Sequence, residues 1–288
     1  MLADQYLGQL HPSELKLRVV DVVQETPTTK TLRLVPVNAL LPPFLAGQYI
    51  PLFAEIDGIR TSRPYSISSQ PKQTGYYDIT VRRVPDGLFS NFLMDRVKTG
   101  NILQSAGPQG NFHFNPLYHD QHMVCLAGGS GITPFMSMIR EIVECGLDRR
   151  VTLIYGNRQL HDVIFHKELE SISRRFDKIT YLPVIEKPAE TFQGACGFIN
   201  AVLIKKAIGD ITDKTFFLCG PQGMYDFCLP ELESLGIAKR KIRKEMYGPP
   251  GNICDHPGWP SDINADDSFQ VAVLDEKTFS VNAGTPLL

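Results

Sequence analysis

The chain of 288 residues is longer than the roughly 100 to 200 residues of a typical domain, so its length predicts two domains. With 43% hydrophobic and 21% charged residues it has the composition of a globular protein, which argues against extensive disorder. Lys and Arg number 29 against 31 Asp and Glu, a net charge of −2 that gives no electrostatic basis for binding nucleic acid.

The N-terminal segment lacks the basic stretch and apolar run of a secretory signal, and no stretch approaches the ~20 apolar residues of a spanning helix. We therefore expect a cytoplasmic protein without a membrane span. The six cysteines show no C-x-x-C spacing. We therefore predict neither a metal site nor a disulfide framework.

Short alternating segments fill the first third of the chain, between Pro and Gly breaks. The segments predicted to be strands are residues 15–23, 31–35, 48–56 and 76–84. One helix is predicted over 90–97, with Ser90 as its N-cap. Several short antiparallel strands indicate a small barrel or sandwich.

From about residue 121 strands alternate with helices, the pattern of a parallel sheet covered on both faces. Residues 122–127 predict a buried strand, and residues 134–146 an amphipathic helix that ends at Gly146. The alternation continues to about residue 247 and predicts one doubly wound domain. Beyond it, a linker rich in Pro, Gly and Asp precedes two predicted strands in the last 21 residues.

Two glycine-bearing turns follow buried strands of this domain. In LAGGSGITP, residues 126–134, backbone N–H groups can approach a pyrophosphate at the start of a helix, with Thr133 as cap and Pro134 in the first helical position. FFLCGPQGMYDF, residues 216–227, repeats the arrangement at a second strand end. Structural turns, and a structural thiol at Cys219, are the alternatives. Together the two turns favour a nucleotide crevice.

The segment RPYSISS, residues 63–69, combines a cation, an aromatic ring and three hydroxyl groups. Arg63 can hold a phosphate, while Tyr65 offers a flat face to a heterocycle and Ser66 a hydrogen bond to its edge. Further on, VRRVPDGLFSNF supplies a glycine turn that opens a helix and forms a second pyrophosphate cradle. The alternatives are a half-buried strand tyrosine and solvated arginines.

The order of six motifs resembles the ferredoxin reductase superfamily over about residues 15–247: RPYSISS, GLFS, GPQGNF, GGSGITP, CGPQGM and EMY. Within it, the chain resembles most the reductase components of bacterial oxygenases and the reductase of hybrid cluster protein. The resemblance implies an antiparallel six-stranded FAD-binding β-barrel over 1–117 and a doubly wound parallel-sheet NAD(P)-binding domain over 118–247. A linker over 248–267 would then lead to a partial β-hairpin over 268–288, the start of a [2Fe-2S] ferredoxin-like domain.

The same resemblance implies roles for individual residues. Arg63 and the Gly87 to Ser90 turn would bind the FAD diphosphate, Tyr65 would stack on the isoalloxazine, and residues 128–133 would bind the nicotinamide dinucleotide. The implied catalytic residues are Ser66 near flavin N5, Cys219 beside nicotinamide C4, Glu245 as a second proton relay, and Tyr247 as the aromatic shield of the flavin. The implied cofactor-binding residues are Arg63, Pro64, Tyr65, Ser66, Val81, Arg82, Gly87, Leu88, Phe89, Ser90, Gly128, Gly129, Ser130, Gly131, Thr133, Arg158, Cys219, Gly220, Pro221 and Met224.

The function implied is that of an NAD(P)H-dependent flavoprotein reductase, which takes a hydride and passes electrons singly to an iron-sulfur centre, its own or that of a partner ferredoxin or oxygenase component. We expect NADH as the donor, although Arg158 is available to a 2′-phosphate. A [2Fe-2S] cluster is expected only if the chain continues beyond Leu288, because the C-x₄-C-x₂-C run is missing. The alternatives are a free-flavin or ferric reductase and a flavin-binding docking subunit of a larger redox complex.

Overall fold

The computed structural model describes residues 12–38, 40–246, 254, 259–264, 266–273 and 277–283. These residues divide into two units, one reaching to Glu245 and one beginning at Met246. The first unit contains two six-stranded sheets, and the second contains a two-stranded sheet. The predicted boundary between the first two domains, at residues 117 and 118, stays a prediction.

The first sheet is antiparallel, as predicted. Its strands are β1 (Leu15–Thr26), β2 (Thr29–Pro36), β3 (Tyr49–Ile56), β4 (Ile59–Ser66), β5 (Tyr77–Arg82) and β6 (Ile102–Ser105), in the order β4-β3-β6-β1-β2-β5. A bridge between Ile67 and Ile79 links the two edge strands, so the sheet closes on itself as a barrel. Alternate residues at the start of β1, such as Leu17 and Val19, are fully buried in its core.

The barrel helix α1 covers Leu88–Asp95, two residues earlier than the predicted range of 90–97. The predicted N-cap was wrong, because Gly87 holds that position without a side-chain hydrogen bond. The Ser90 hydroxyl instead accepts from the Val84 N–H at 3.1 Å and donates to the Gly87 carbonyl at 3.4 Å. It therefore stabilises the preceding turn and leaves the first N–H groups of the helix uncapped.

The second sheet has the predicted doubly wound, parallel architecture. Its strands are β7 (His122–Gly128), β8 (Arg150–Asn157), β9 (Ile179–Ile185), β10 (Ala195–Cys196), β11 (Lys214–Gly220) and β12 (Ile242–Met246), in the order β10-β9-β8-β7-β11-β12. The helices of this domain are α2 (Ile132–Cys145), α3 (His166–Arg175), α4 (Ala201–Ile208) and α5 (Gln222–Ser234). The strand order reverses between β7 and β11, which is where open α/β sheets bind ligands.

Helix α2 begins two residues before the predicted position, and its predicted cap was wrong. Gly131 is the N-cap, so Thr133 and Pro134 occupy the second and third helical positions. A short 3₁₀ helix over Gly129–Gly131 directly precedes α2. The Thr133 hydroxyl therefore donates back to the Ser130 carbonyl in that turn, at 2.9 Å. The predicted end is confirmed, with Gly146 in the left-handed conformation at φ +61°.

The second unit contains β13 (Ser268–Val273) and β14 (Lys277–Asn282), which pair antiparallel as predicted. Most of the predicted linker, and Tyr247, lie outside the described residues. Within the described part of the chain, no helix is long and apolar enough to cross a membrane. No group of three or more His, Cys, Asp or Glu side chains suited to a metal ion occurs among those same residues.

Candidate active site

Strand β4 carries the first part of the candidate site. Alternate strand residues share a face, so Arg63 and Tyr65 lie on one side and exposed Pro64 on the other. The Arg63 guanidinium donates to the Thr61 hydroxyl at 3.1 Å and to the Ser62 carbonyl at 2.7 Å. The Tyr65 ring packs against Phe89 of α1, with the ring centroids 6.0 Å apart, and its burial raises the pKa of the phenol.

The start of α1 completes this part of the site. A Cβ atom on Gly87 would lie 2.7 Å from the Ser90 hydroxyl oxygen and 2.9 Å from the Val84 Cβ, so glycine keeps the turn compact. The uncapped N–H groups of the first helical turn form the positive end of the helix dipole. A forked guanidinium, an aromatic face and a helix N-terminus are the donor set that suits a diphosphate joined to a flat heterocycle, and thus FAD.

The glycine-rich turn between β7 and α2 is pressed against the end of β11. A Cβ atom on Gly131 would lie 2.1 Å from the Cys219 carbonyl oxygen, and one on Gly128 would lie 2.5 Å from the Met224 sulfur and 3.0 Å from Pro221 Cδ. The structure therefore brings together most of the residues predicted to hold the nicotinamide dinucleotide. It also buries the Cys219 side chain completely at the end of β11.

Arginine from the barrel reaches this turn. Gly129 has φ +52°, and a Cβ atom placed on it would lie 2.6 Å from Nη1 of Arg82, at the end of β5. The same glycine accepts a hydrogen bond at its carbonyl from the buried Tyr155 hydroxyl at 2.7 Å. The guanidinium and the glycine turn, which belong to different sheets, therefore form one continuous surface.

The end of β8 contributes a residue that the sequence motifs did not identify. Asn157 is 8% exposed, and neither its amide nitrogen nor its oxygen makes a hydrogen bond of normal length and angle within the described chain, although the amide lies close enough to the Tyr155 hydroxyl to oppose the rise that burial causes in the pKa of that phenol. Buried amides are nearly always paired, so an unpaired one beside the glycine turn fits a ligand with hydroxyl groups, such as the ribose of a dinucleotide. The next residue, Arg158, is exposed. This exposure suits a side chain that would contact a bound nucleotide on its solvent side.

Two predicted catalytic residues approach the same part of the barrel from different sheets. Ser66, which is buried, pairs with Tyr49 across β3 and β4. A Cβ atom on Gly110 would lie 3.0 Å from the Tyr49 ring and 3.7 Å from Oε1 of Glu245. Glu245 is held there through its carbonyl, which accepts from the Tyr225 hydroxyl.

Two other residues that were predicted to bind a cofactor contribute less to the candidate site through their side chains. Val81 is fully buried in the barrel core, and Leu88 is half exposed at the start of α1. Tyr247 lies outside the described residues, so its predicted role as a shield stays a prediction. The roles of all these residues toward a cofactor are likewise predictions.

Two family models match the chain in series. The model of the oxidoreductase FAD-binding domain matches residues 16–114, and that of the oxidoreductase NAD-binding domain matches residues 125–229. They fall on the barrel and on the parallel sheet, the two regions that carry the turns described above.

Curated relatives include the glycine betaine monooxygenase reductase subunit of Pseudomonas aeruginosa, which is 32% identical over 81% of this chain. The chain spans a little under two thirds, 64%, of the length of that protein. The anthranilate 1,2-dioxygenase electron transfer component of Acinetobacter baylyi is 31% identical over 71% of the chain and 58% of its own length.

Solved structures show the same fold. A cytochrome P450 reductase of Amycolatopsis is 25% identical, with a TM-score of 0.73 over 83% of this chain and 71% of that one. Phthalate dioxygenase reductase has a TM-score of 0.69 over 95% of this chain and 78% of its own, at 21% identity. With both family models matched in order on the fold that carries them, the chain belongs to the ferredoxin reductase superfamily of FAD- and NAD-binding oxidoreductases.

Proposed function

We propose that this chain is an FAD-dependent NADH oxidoreductase that delivers electrons singly to an iron-sulfur acceptor serving an oxygenase or another redox enzyme. The observation that carries the proposal is the contact between the two cradles: Arg82 of the barrel lies against Gly129 of the nucleotide turn. Hydride transfer requires two rings in near-attack geometry, so two dinucleotide cradles must meet as these do.

The barrel residues would bind and orient FAD. Arg63 and the first turn of α1 would hold the diphosphate, and Tyr65 would cover one face of the ring system. Ser66, buried beside Tyr49, would lie at the reacting edge, and Glu245 would reach the same region from β12. When bound, FAD accepts a hydride from nicotinamide and releases electrons one at a time.

The residues of the parallel sheet would bind NADH and exclude water. The turn over residues 128–133 offers backbone N–H groups to the pyrophosphate, and Asn157 offers its unpaired amide to a ribose. Cys219, fully buried beneath the turn, would pack beside the nicotinamide and help to keep water out. NADH is the proposed donor, with Arg158 as the residue that a 2′-phosphate would meet.

The acceptor is proposed from the relatives. Their names describe a monooxygenase reductase subunit and a dioxygenase electron transfer component, which supports an oxygenase-linked acceptor for this chain. The hairpin of β13 and β14 is proposed to be the beginning of a ferredoxin-like domain. Because NADH is the proposed donor, we also propose that the protein acts in the cytoplasm.

An anaerobic visible spectrum, recorded before and after one equivalent of NADH, tests this function. Flavin bands at about 375 and 450 nm that bleach on addition support it, and a chain that stays colourless with added FAD contradicts it. The variant Arg63→Ala is expected to lose bound FAD. The matched control is Arg60→Ala, an exposed residue of the same strand, which should keep it.

A further inference from the structure

A cluster outside the two cradles joins the barrel to helix α2. Arg140 donates through Nη1 to the Ser68 carbonyl at 2.8 Å, and Ser137 donates to the Ser69 carbonyl at 2.6 Å. Arg140 also donates through Nε and Nη2 to the two carboxylate oxygens of Glu168, at 2.9 and 2.7 Å. We call Ser137, Arg140, Glu168 and the two carbonyls the interdomain clamp.

The part of the clamp next to the barrel is largely shielded from solvent, so its hydrogen bonds are stronger than those of a surface pair, whereas the Glu168 side chain is 40% exposed. The Arg140 side chain is 18% exposed, and its guanidinium lies 5.0 Å from the centroid of the Phe165 ring. All three guanidinium nitrogens are used, two by the carboxylate and one by the barrel carbonyl. A lysine cannot reproduce this fork, because it has one nitrogen.

On the barrel side, the clamped segment is held by a row of hydroxyl groups. Ser68 lies 3.1 Å from the Thr80 hydroxyl, Thr80 lies 2.9 Å from Thr31, and Thr31 donates to Glu25 at 2.7 Å. Each hydroxyl has one proton, so the bond from Thr31 to Glu25 fixes Thr80 as donor to Thr31. The Ser68 hydroxyl then donates its proton either to Thr80 or to the Asp78 carbonyl, which lies 3.2 Å away. The Ser68 carbonyl, which accepts from Arg140, therefore belongs to a segment that hydrogen bonds hold in a defined orientation.

The two ends of the clamp are close in sequence to the two cradles. Ser68 and Ser69 lie two and three residues after Ser66, the last residue of β4, and α2 begins at Ile132, directly after the glycine turn. Ser137 lies five residues along the helix from Ile132, about 7.5 Å of rise, so a displacement at Ser137 is transmitted to the turn by a rigid helix.

We propose that the interdomain clamp sets the position of the nicotinamide turn relative to the flavin-bearing strand, which makes Arg140 and Ser137 positioning residues for hydride transfer. The inference rests on the proposed function. It assigns these residues no contact with either cofactor. Since misplacement of reacting groups by about 1 Å can cost on the order of 100-fold in rate, a loosened clamp should act on the rate of transfer more than on binding.

The test compares the unaltered protein with Arg140→Ala, Arg140→Lys and Ser137→Ala. We expect the limiting rate of flavin reduction to fall about tenfold or more in both Arg140 variants and less in Ser137→Ala, because Ser137 supplies a single bond. The FAD content and the Kd for NADH should stay within about threefold. The control is Arg174→Ala, on α3, whose side chain is 76% exposed and pairs only with Glu170 among the described residues.

A second readout does not depend on turnover. Amide hydrogen exchange in peptides covering residues 63–69 and 128–137 should accelerate in the clamp variants and stay unchanged in Arg174→Ala. If Arg140→Ala does not fold, the other two variants decide the question. Unchanged reduction rates in folded variants overturn the inference, and so does a loss explained by lost FAD. An unaltered protein that NADH does not reduce overturns the proposed function itself.

Discussion

The two edges of the parallel sheet differ sharply, and the difference shows what marks a dinucleotide site. At the carboxyl edge β7 and β11 end in Gly128 and Gly220, which lie so close that a Cβ atom on Gly220 would be 3.2 Å from the Gly128 Cα. At the amino edge the same strands begin with His122 and Lys214. At the carboxyl edge both strands end in glycine, which has no side chain, whereas at the amino edge both strands begin with a basic residue.

A search for the nucleotide site by charged residues alone would select the amino edge, which is the wrong one. Around the amino edge lie Asp120, His122, Asp148, Arg150, Lys178, Asp210, Asp213 and Lys214. Two of the carboxylates are paired with lysines at 2.6 Å, Asp148 with Lys178 and Asp120 with Lys241. The exposed pair of Lys178 with Asp148 contributes little to stability, because water and salt screen its charges. We therefore expect variants at the carboxyl edge to change nucleotide binding and variants at the amino edge to leave it unchanged.

The largest effect should come from Gly131→Ala. The new methyl group would lie 2.1 Å from the Cys219 carbonyl oxygen and 2.8 Å from the Gly220 Cα, so backbone must move. We expect a loss of about 3 kcal/mol or more in the free energy of unfolding, measured by urea denaturation, because overpacking against backbone cannot relax by rotating a side chain.

The control for that change is Gly223→Ala, at the start of α5. No atom lies within 4 Å of a Cβ atom built there. A helical alanine is favoured over glycine by about 1 kcal/mol, so this variant should be slightly more stable than the unaltered protein. Equal losses from both variants would show that the turn is not packed as described.

Alternation and glycine turns predicted part of the architecture. The antiparallel strands of the first sheet, the doubly wound sheet and the end of α2 at Gly146 follow from local patterns, because period-two strands and helix-ending glycines are encoded within a few residues. Those patterns left a barrel and a sandwich open, and the six-stranded barrel was expected from the resemblance to the ferredoxin reductase superfamily. The position of the glycine turn at the strand-order reversal depends on the strand order, which a local pattern does not determine. The local patterns predicted the wrong helix caps, because the hydroxyl groups of Ser90 and Thr133 bond to the turns before their helices.

The rest of the site depends on contacts between distant parts of the chain. Arg140 lies 72 residues from Ser68, and Tyr155 lies 26 residues from the carbonyl of Gly129. A serine or an arginine in an amphipathic helix looks like any solvated residue until its packing is known. Asn157 was hidden for the same reason, because its missing partners become visible only when its surroundings are known.

The next effect in size should come from Arg82→Ala. Removing the guanidinium at Gly129 should raise the Kd for NADH about tenfold, or 1.4 kcal/mol, because a charged donor is lost beside the turn. The concentration dependence of flavin reduction measures it. Arg83→Ala is the matched control, since that neighbour pairs with Asp95 of α1, at 2.5 Å. A similar rise in both variants would mean that general charge, and not this contact, is responsible.

A smaller effect is expected from Asn157→Ala. The unpaired amide is removed, so the free energy of unfolding without nucleotide should change by less than about 1 kcal/mol. The Kd for NADH should rise about fivefold, since the ribose would lose a hydrogen-bond partner. Isothermal titration with NAD⁺ provides a parallel measurement. The exposed Gln159→Ala is the control, and a large loss of stability in Asn157→Ala alone would instead indicate a structural amide.

The smallest effect belongs to the amino edge, where His122 lies between Arg150 and Lys214 in register. Burial, followed by the charges of Lys214 and Arg150, lowers the pKa of His122 to about 4. Its Nε2 lies 2.9 Å from the Thr152 hydroxyl. Between pH 6.5 and 4 the unfolded chain therefore binds a proton that the folded protein does not, so stability is full above pH 6.5 and falls as the pH is lowered.

The unaltered protein should consequently lose more stability between pH 7 and pH 5 than His122→Gln. We expect a difference of about 0.7 kcal/mol, after reducing the linkage value for solvent screening, in urea denaturation at the two pH values. Exposed His161→Gln should behave like the unaltered protein. Because the two edges are at opposite ends of the strands, the Kd for NADH should be the same in all three proteins. A changed Kd for NADH in His122→Gln would contradict the expectation that the amino edge takes no part in nucleotide binding.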